Sequence, residues 1–318
     1  MIKRINFLLR KEYKLFIPAI LFIIIATPQF VIADTSIPVK QIKHLFTIKG
    51  DKANPLSLPS DVSVDNNGNI YIVDSGNHRV AVFDDTGDFI SNISNKGQKQ
   101  DELTNPVGID IDENNIYIAD KDNHRIQIFD KDGKVKKTIT LKQGGKLIRP
   151  VDVAVNEKLK LFYITGNNNH KVMVYDYSGK LLHQWGGQGT NRGEFRYPAT
   201  ISLFDNNVYV VDVLNSRVQI FNAKGELQAI SGEWGVLPGQ LFRPKGVALD
   251  NKGNIYVSDS YLEMIQVFSN DTRFRYVLAD NGKPYKFTSA AGITIDKHNR
   301  LYVCEMLENK VSVFLLEP

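Results

Sequence analysis

Three histidines recur at one interval. "NHRV" occupies Asn77–Val80, "NHRI" Asn123–Ile126 and "NHKV" Asn169–Val172, so His78, His124 and His170 stand 46 residues apart. Neutral imidazole is a common zinc ligand, and three around one ion with an open fourth position form a catalytic donor set. The other reading is a single turn repeated around a ring, in which the histidines share a place in the fold and no ligand. The elements that carry the turn decide between the two.

A tyrosine following an apolar residue recurs at Tyr71, Tyr117, Tyr163, Tyr209, Tyr256 and Tyr302, at intervals of 46 or 47 residues. Its flanks repeat as well: "PSDVSVDNNGNIYIVDSGNHRVAVFDDTGDFI" from Pro59 aligns with "PVGIDIDENNIYIADKDNHRIQIFDKDGKVKKTI" from Pro106. Short alternating apolar runs separated by Gly, Asn and Asp signal antiparallel strands. In the second unit "VGIDI", "NIYIAD", "RIQIFD" and "KVKKTIT" give strands a to d, with "DENN" and "DKDGK" as tight turns. A lone four-stranded sheet cannot bury both faces, whereas six stacked around an axis can, which predicts an all-β, six-bladed β-propeller with four-stranded antiparallel blades. The sixth unit stops after three strands, and "VKQIKHLFTIKG" (Val39–Gly50) is a strand with no unit before it. Ile42–Ile48 is therefore expected to pair with Lys310–Leu316 and close the ring.

That ring separates the histidines. Strands in a blade lie about 4.8 Å apart, so with the inner strand about 7 Å from the axis the b–c turn sits about 12 Å out. In a six-fold ring, equivalent points on neighbouring blades are as far apart as the radius, again about 12 Å. Ligand nitrogens on one zinc must lie within about 4 Å of each other. No shared metal and no cofactor are expected. The same turn carries Asp74, Asp120, Asp212 and Asp259 and, five residues on, Arg79, Arg125 and Arg217, with Lys171 in the third unit. Such residues can pair or bond turn amides, and Asn77, Asn123, Asn169 and Asn215 suit the turn backbone. Gly166, Leu262–Met264 and the Glu305/Lys310 pair depart from the pattern.

The motif P-x-G-[IV]-x-[IV]-D…N-[IL]-Y-[IV]-x-D-x-x-N-x-R-[IV]-x-[IV]-F resembles the NHL repeat, and the resemblance covers about residues 39–318. It implies a six-bladed propeller of an exported bacterial type without a RING or other appended domain. NHL propellers serve as protein-binding, RNA-binding and enzymatic platforms, so the resemblance leaves function open. Some six-bladed relatives are lyases with metal-bound histidines at the channel. Here His298 falls in an a–b turn, His183 in a strand d and His44 in the closing strand, none of them placed for that role. The one cysteine, Cys304, excludes an intramolecular disulfide and Cys-rich zinc modules, and within "LYVCEM" it reads as a buried strand thiol.

Residues 1–33 read as a signal peptide, or as an uncleaved N-terminal anchor. Lys3, Arg4, Arg10, Lys11 and Lys14 precede an apolar stretch, Leu15–Ala33, that ends in a small residue. Export to the periplasm or the extracellular space is expected, with membrane contact only through this segment. The chain has 39 Lys and Arg and 35 Asp and Glu; five basic residues and Glu12 fall in the leader, leaving 34 of each sign. A neutral body has no bulk field to draw nucleic acid, and none is expected as a partner. No G-x-S-x-G, H-E-x-x-H, P-loop or calcium loop is present.

The d–a connections "GGQGTNRGEFRYP" and "GEWGVLPGQLFRP" are long and glycine-rich. Arg149, Arg196 and Arg243, spaced by 47, precede strand a in blades 3, 4 and 5 and are the candidate ligand-binding residues. At equivalent inner positions they would lie about 7 Å apart, within reach of one anion, unless each pairs with a loop carboxylate such as Glu194. Trp185, Phe195, Trp234 and Phe242 are expected to pack between blades. The favoured function is a monomeric, non-catalytic scaffold binding a protein, peptide or glycan of the cell envelope on its loop face. The alternative is a lyase or hydrolase acting in the central channel. Inner-strand carboxylates or histidines would favour the enzyme, and a filled channel the scaffold.

Overall fold

A computed structural model describes residues 37–317, so the segment read as a signal or anchor lies outside the described residues. The described chain is a β-propeller of six blades. Blade 1 consists of Pro59–Val64, Ile70–Asp74, Arg79–Phe83 and Phe89–Ile93, strands a to d from the axis outward. Blades 2 to 5 begin with the inner strands Pro106–Ile111, Pro150–Asn156, Pro198–Phe204 and Pro244–Leu249, and blade 6 with Ala290–Ile295. Each inner strand packs beside the next, and the sixth packs beside the first, so the ring is closed.

Closure follows the expected pairing and adds a clasp. Ile42 lies opposite Leu316 and Ile48 opposite Val311, antiparallel, which makes Val39–Ile48 the outer strand of blade 6. Its first residues also run parallel to the outer strand of blade 5, Val39 beside Val277 and Gln41 beside Ala279. One strand thus joins two blades into a continuous sheet. Removing it would bare the edge of Lys310–Leu316.

The repeat tyrosine has a local task. Its ring is buried, and in four of the blades its hydroxyl donates to the aspartate of the a–b turn: Tyr117 to Asp112 at 2.8 Å, and likewise Tyr71 to Asp65, Tyr256 to Asp250 and Tyr302 to Asp296. Those aspartates also accept turn amides, Asn67 and Asn69 on Asp65, so one carboxylate fixes the hairpin and gives a buried phenol its partner. Between blades the apolar faces interlock: Val73 and Val82 of blade 1 pack with Ile116 and Ile118 of blade 2. Cys304 is fully buried in the blade 6–blade 1 core. No helix among the described residues is long and apolar enough to cross a membrane.

Candidate functional site

The histidine turns are stitches between blades. Each of the three histidines sits at a left-handed residue, φ 57°, 57° and 54°, just before strand c. His78 Nδ1 accepts the N–H of Asn105 at 2.9 Å, and His170 Nδ1 that of Tyr197 at 3.3 Å; both donors precede the inner strand of the next blade. His124 has the same setting, but the N–H of Arg149 donates to Asn168 instead, and His124 Nδ1 is buried without a partner. Burial, with the Lys96 charge behind it, holds the His78 imidazole below its usual range. The b–c turns of blades 1, 2 and 4 also carry a buried aspartate, whereas blade 3 has Gly166 in that place. Asp120 accepts from Thr104 N–H, Asn123 Nδ2 and Arg125 Nε, the last at 2.7 Å, and Asp74 and Asp212 make the same set with Arg79 and Arg217. In blade 5, where the arginine is missing, Asp259 takes four backbone N–H groups, from Phe242, Arg243, Tyr261 and Leu262.

The channel contains what the sequence reading missed. A polar cavity of about 240 Å³ runs between all six inner strands, room for several waters at about 30 Å³ each. Asp61, Asp110 and Asp152 line it. Each bonds the backbone of the following blade: Asp61 Oδ2 to Ile109 N–H (3.0 Å), Asp110 Oδ2 to Val155 N–H (2.7 Å) and Asp152 Oδ2 to Ile201 N–H (2.8 Å). The inner strand is the free edge of its blade, so these amides have no sheet partner. The other half of the ring uses hydroxyls, Thr200 to the Lys245 carbonyl and Ser258 to the Ala291 carbonyl. Glycine makes room for the carboxylates: a Cβ on Gly108 would lie 2.3 Å from Asp152 Oδ1, and one on Gly292 2.2 Å from Asp61 Oδ1. Burial pushes Asp61 up to about 7 and Asp110 up to about 6; burial and then the Asp61 charge push Asp152 well up. The alternation of "PSDVSV", "PVGIDI" and "PVDVAV" was the available signal. It was obscured because Asp110 sits two positions further along its strand than Asp61 and Asp152 do.

The three candidate arginines are not equivalent. Arg149 and Arg243 directly precede the proline of strand a, but in blade 4 that place is held by Tyr197 and Arg196 stands one residue earlier. The hydrogen bonds confirm the offset: Arg196 N–H goes to the turn aspartate, Asp212, as Phe242 N–H goes to Asp259. Arg149 Nη2 pairs with Asp122 of blade 2 at 2.9 Å, whereas Glu194 is occupied by the amide of Asn191 in its own loop. Arg196 and Arg243 are exposed and have no side-chain partner among the described residues. Close to Arg243 lies the half-buried Lys245. Burial and then the Arg243 charge hold its ammonium below its usual range, and Lys121 of the opposite blade acts in the same direction.

Of the four loop aromatics expected between blades, Trp185 and Phe195 pack against Phe221 there. Trp234 does not. It is 70% exposed and neighbours Phe242, which stacks on the exposed Tyr261 with ring centroids 4.1 Å apart. This aromatic row over blade 5 adjoins Arg243.

The sequence model of a family described as a 6-bladed beta-propeller matches residues 48–144. Protein brain tumor of Drosophila melanogaster is 29% identical over 139 residues, 41% of this chain and 12% of that protein. NHL repeat-containing protein 3 of Mus musculus is 30% identical over 136 residues, 42% of this chain and 39% of that protein. The matches thus span less than half of those relatives. Among solved structures, virginiamycin B lyase from Staphylococcus aureus with quinupristin superposes with a TM-score of 0.61 at 15% identity, over 83% of this chain and 82% of that one. A protein of unknown function from Bacteroides thetaiotaomicron gives 0.67 at 16%, over 88% and 75%. At such identity the likeness is one of fold. Together these findings support a six-bladed propeller, part of which is similar to NHL-repeat proteins.

Proposed function

We propose that the protein is an exported, monomeric, non-catalytic recognition scaffold that holds a protein, peptide or glycan of the cell envelope on the loop face of its propeller. The observation that carries this reading is the surface over blades 4 and 5, where exposed Trp234 and Tyr261 flank the half-buried Phe242, and where Arg196 and Arg243 are exposed without a side-chain partner among the described residues. Aromatic rings with an apolar body and an arginine fork are the side chains enriched at recognition surfaces. Export rests on the reading of residues 1–33. Capture of a partner from envelope extracts tests the proposal. The variant with Arg149, Arg196 and Arg243 changed to Gln is expected to lose capture at a nearly unchanged Tm, and undiminished capture would overturn the arginines' role.

The channel reading has one observation in its favour, the three carboxylates around an unfilled polar cavity. A carboxyl held near neutrality by burial can serve as an acid or base. The same oxygens are nevertheless engaged by backbone amides of the adjoining blade, which accounts for the residues without a reaction. An Asp61→Asn/Asp152→Asn variant that folds and loses a lyase or hydrolase activity present in the parent would establish the enzyme.

A further inference from the structure

Three of the d–a connections share one backbone. Gly97 N–H bonds the Leu103 carbonyl, Gly189 that of Phe195 and Gly235 that of Leu241, at 2.9, 3.1 and 3.0 Å. Within each, a side chain closes the loop on a backbone amide: Glu102 on Lys99, Glu194 on Asn191 and Gln240 on Leu237. The residues that bond the framework are alike, and those that face solvent are not. Between blades 1 and 2 the outward positions hold Lys96, Gln98 and Lys99; between blades 3 and 4, Gln188, Thr190 and Asn191; between blades 4 and 5, Trp234, Val236 and Leu237. The last three are 70%, 62% and 63% exposed.

Since the same backbone forms with polar residues, folding does not require these apolar ones. Val236 and Leu237 share the loop of Trp234, whose ring neighbours Phe242 and through it Tyr261, and exposed apolar groups gathered in this way mark an interaction site. At its inner end the surface is positive: the side chains of Arg243 and Arg196 have no partners among the described residues, and Lys245 lies beside Arg243. Nearby acids are engaged, Asp259 by backbone amides and Glu263 by Lys286, while Glu233, on the outer side, accepts from Gln240.

Resting on the recognition reading above, we infer that this surface seats a linear, apolar and acidic peptide segment of a partner protein. Bulky apolar side chains lie against Trp234, Val236 and Leu237, and carboxylates face Arg243, Arg196 and Lys245. Apolar contact supplies affinity, and the positive inner end fixes direction and excludes basic segments.

The test uses a short peptide alternating Glu and Leu, with a Lys–Leu peptide, oligouridine and a neutral oligosaccharide as competing classes. The chain has two tryptophans, and Trp185 is packed against Tyr163 and Phe221, so a change in emission on binding reports chiefly on Trp234. The Glu–Leu peptide is expected to shift that emission to shorter wavelength, with affinity falling as salt rises. Measured by anisotropy of a labelled peptide, Trp234→Gln/Val236→Thr/Leu237→Asn, which installs the residues of the sister loop, is expected to bind roughly tenfold weaker or less tightly still. Arg243→Gln is expected to weaken the Glu–Leu peptide and to leave the Lys–Leu peptide unchanged. Equal binding of the two peptides, or full binding by the sister-loop variant, overturns the inference. A shift caused by oligouridine or the oligosaccharide, and not by peptide, overturns the peptide class and leaves the recognition reading standing. Silence from all classes removes both.

Discussion

In the channel, Asp61, Asp110 and Asp152 each give an oxygen to an amide of the following blade, and Gly292 and Gly108 make the space that Asp61 and Asp152 need. Over blades 4 and 5, Arg196 and Arg243 have no such partner, and Trp234, Val236 and Leu237 stand in solvent on a loop whose sisters carry polar residues. The chain's own folding accounts for the first group and not for the second. The difference teaches where to look for function in a repeat protein. Unusual residues that complete the ring's hydrogen bonding are framework, and those that leave it unchanged answer to something outside the chain.

The largest effect is expected where the framework is cut. Deleting Val39–Ile48 removes the outer strand of blade 6 and its clasp on blade 5, with Ile42 and Ile48 from the core, each worth about 1.5–3 kcal/mol. Size-exclusion chromatography should show aggregation and no monomeric peak with the parent's melting temperature. A monomer melting like the parent contradicts closure by this strand. Next, Asp120→Ala leaves Arg125 buried without its carboxylate and should cost about 3–5 kcal/mol in urea unfolding. A loss no larger than that of an exposed pair would show the hub to be decoration.

The channel sharpens the comparison through pH. Asp61, pushed up to about 7 by burial, holds its proton in the folded state while the unfolded chain releases it near the ordinary value of 3.8. Its contribution is therefore fully present below the unfolded value and falls as pH rises toward about 7. Asp61→Asn should flatten that fall in urea midpoints taken across the window. An unchanged slope would place the proton elsewhere. His78 acts in the opposite direction and more weakly. Its folded value lies below 6.5, so its stitch to Asn105 is fully present above that pH and is lost as pH falls through the folded value. His78→Phe should cost about 1 kcal/mol at neutral pH and remove that dependence; no change would mean that the bond adds nothing net.

The repeat made the fold legible, because residues that recur every 46 or 47 positions answer to the ring. The closing strand and the Asp–Arg hubs were visible as a spare strand and as a constant offset of five residues. The repeat spacing set the histidines on separate blades, but the sequence did not show that His78 and His170 accept amides across a blade junction. Trp234 was misplaced because it stands on the loop beyond strand d, level with Gln188, whereas Trp185 lies three positions earlier in the outer strand of blade 3 and packs on Phe221. Arg196 was set level with Arg149 and Arg243 because equal spacing hid Tyr197, which holds the place before the proline and moves Arg196 back by one. The parallel pairing of Val39–Gln41 with blade 5 leaves no pattern in either strand.

The central claim is that the loop face of blades 4 and 5 binds and the channel does not. The most direct test compares, in one capture experiment from envelope extracts, the parent, Trp234→Gln/Val236→Thr/Leu237→Asn and Asp61→Asn/Asp152→Asn, each first shown to be folded. The account predicts that the channel variant recovers the same partner in the same amount as the parent, and that the loop variant recovers none. Capture retained by the loop variant and lost by the channel variant would contradict it.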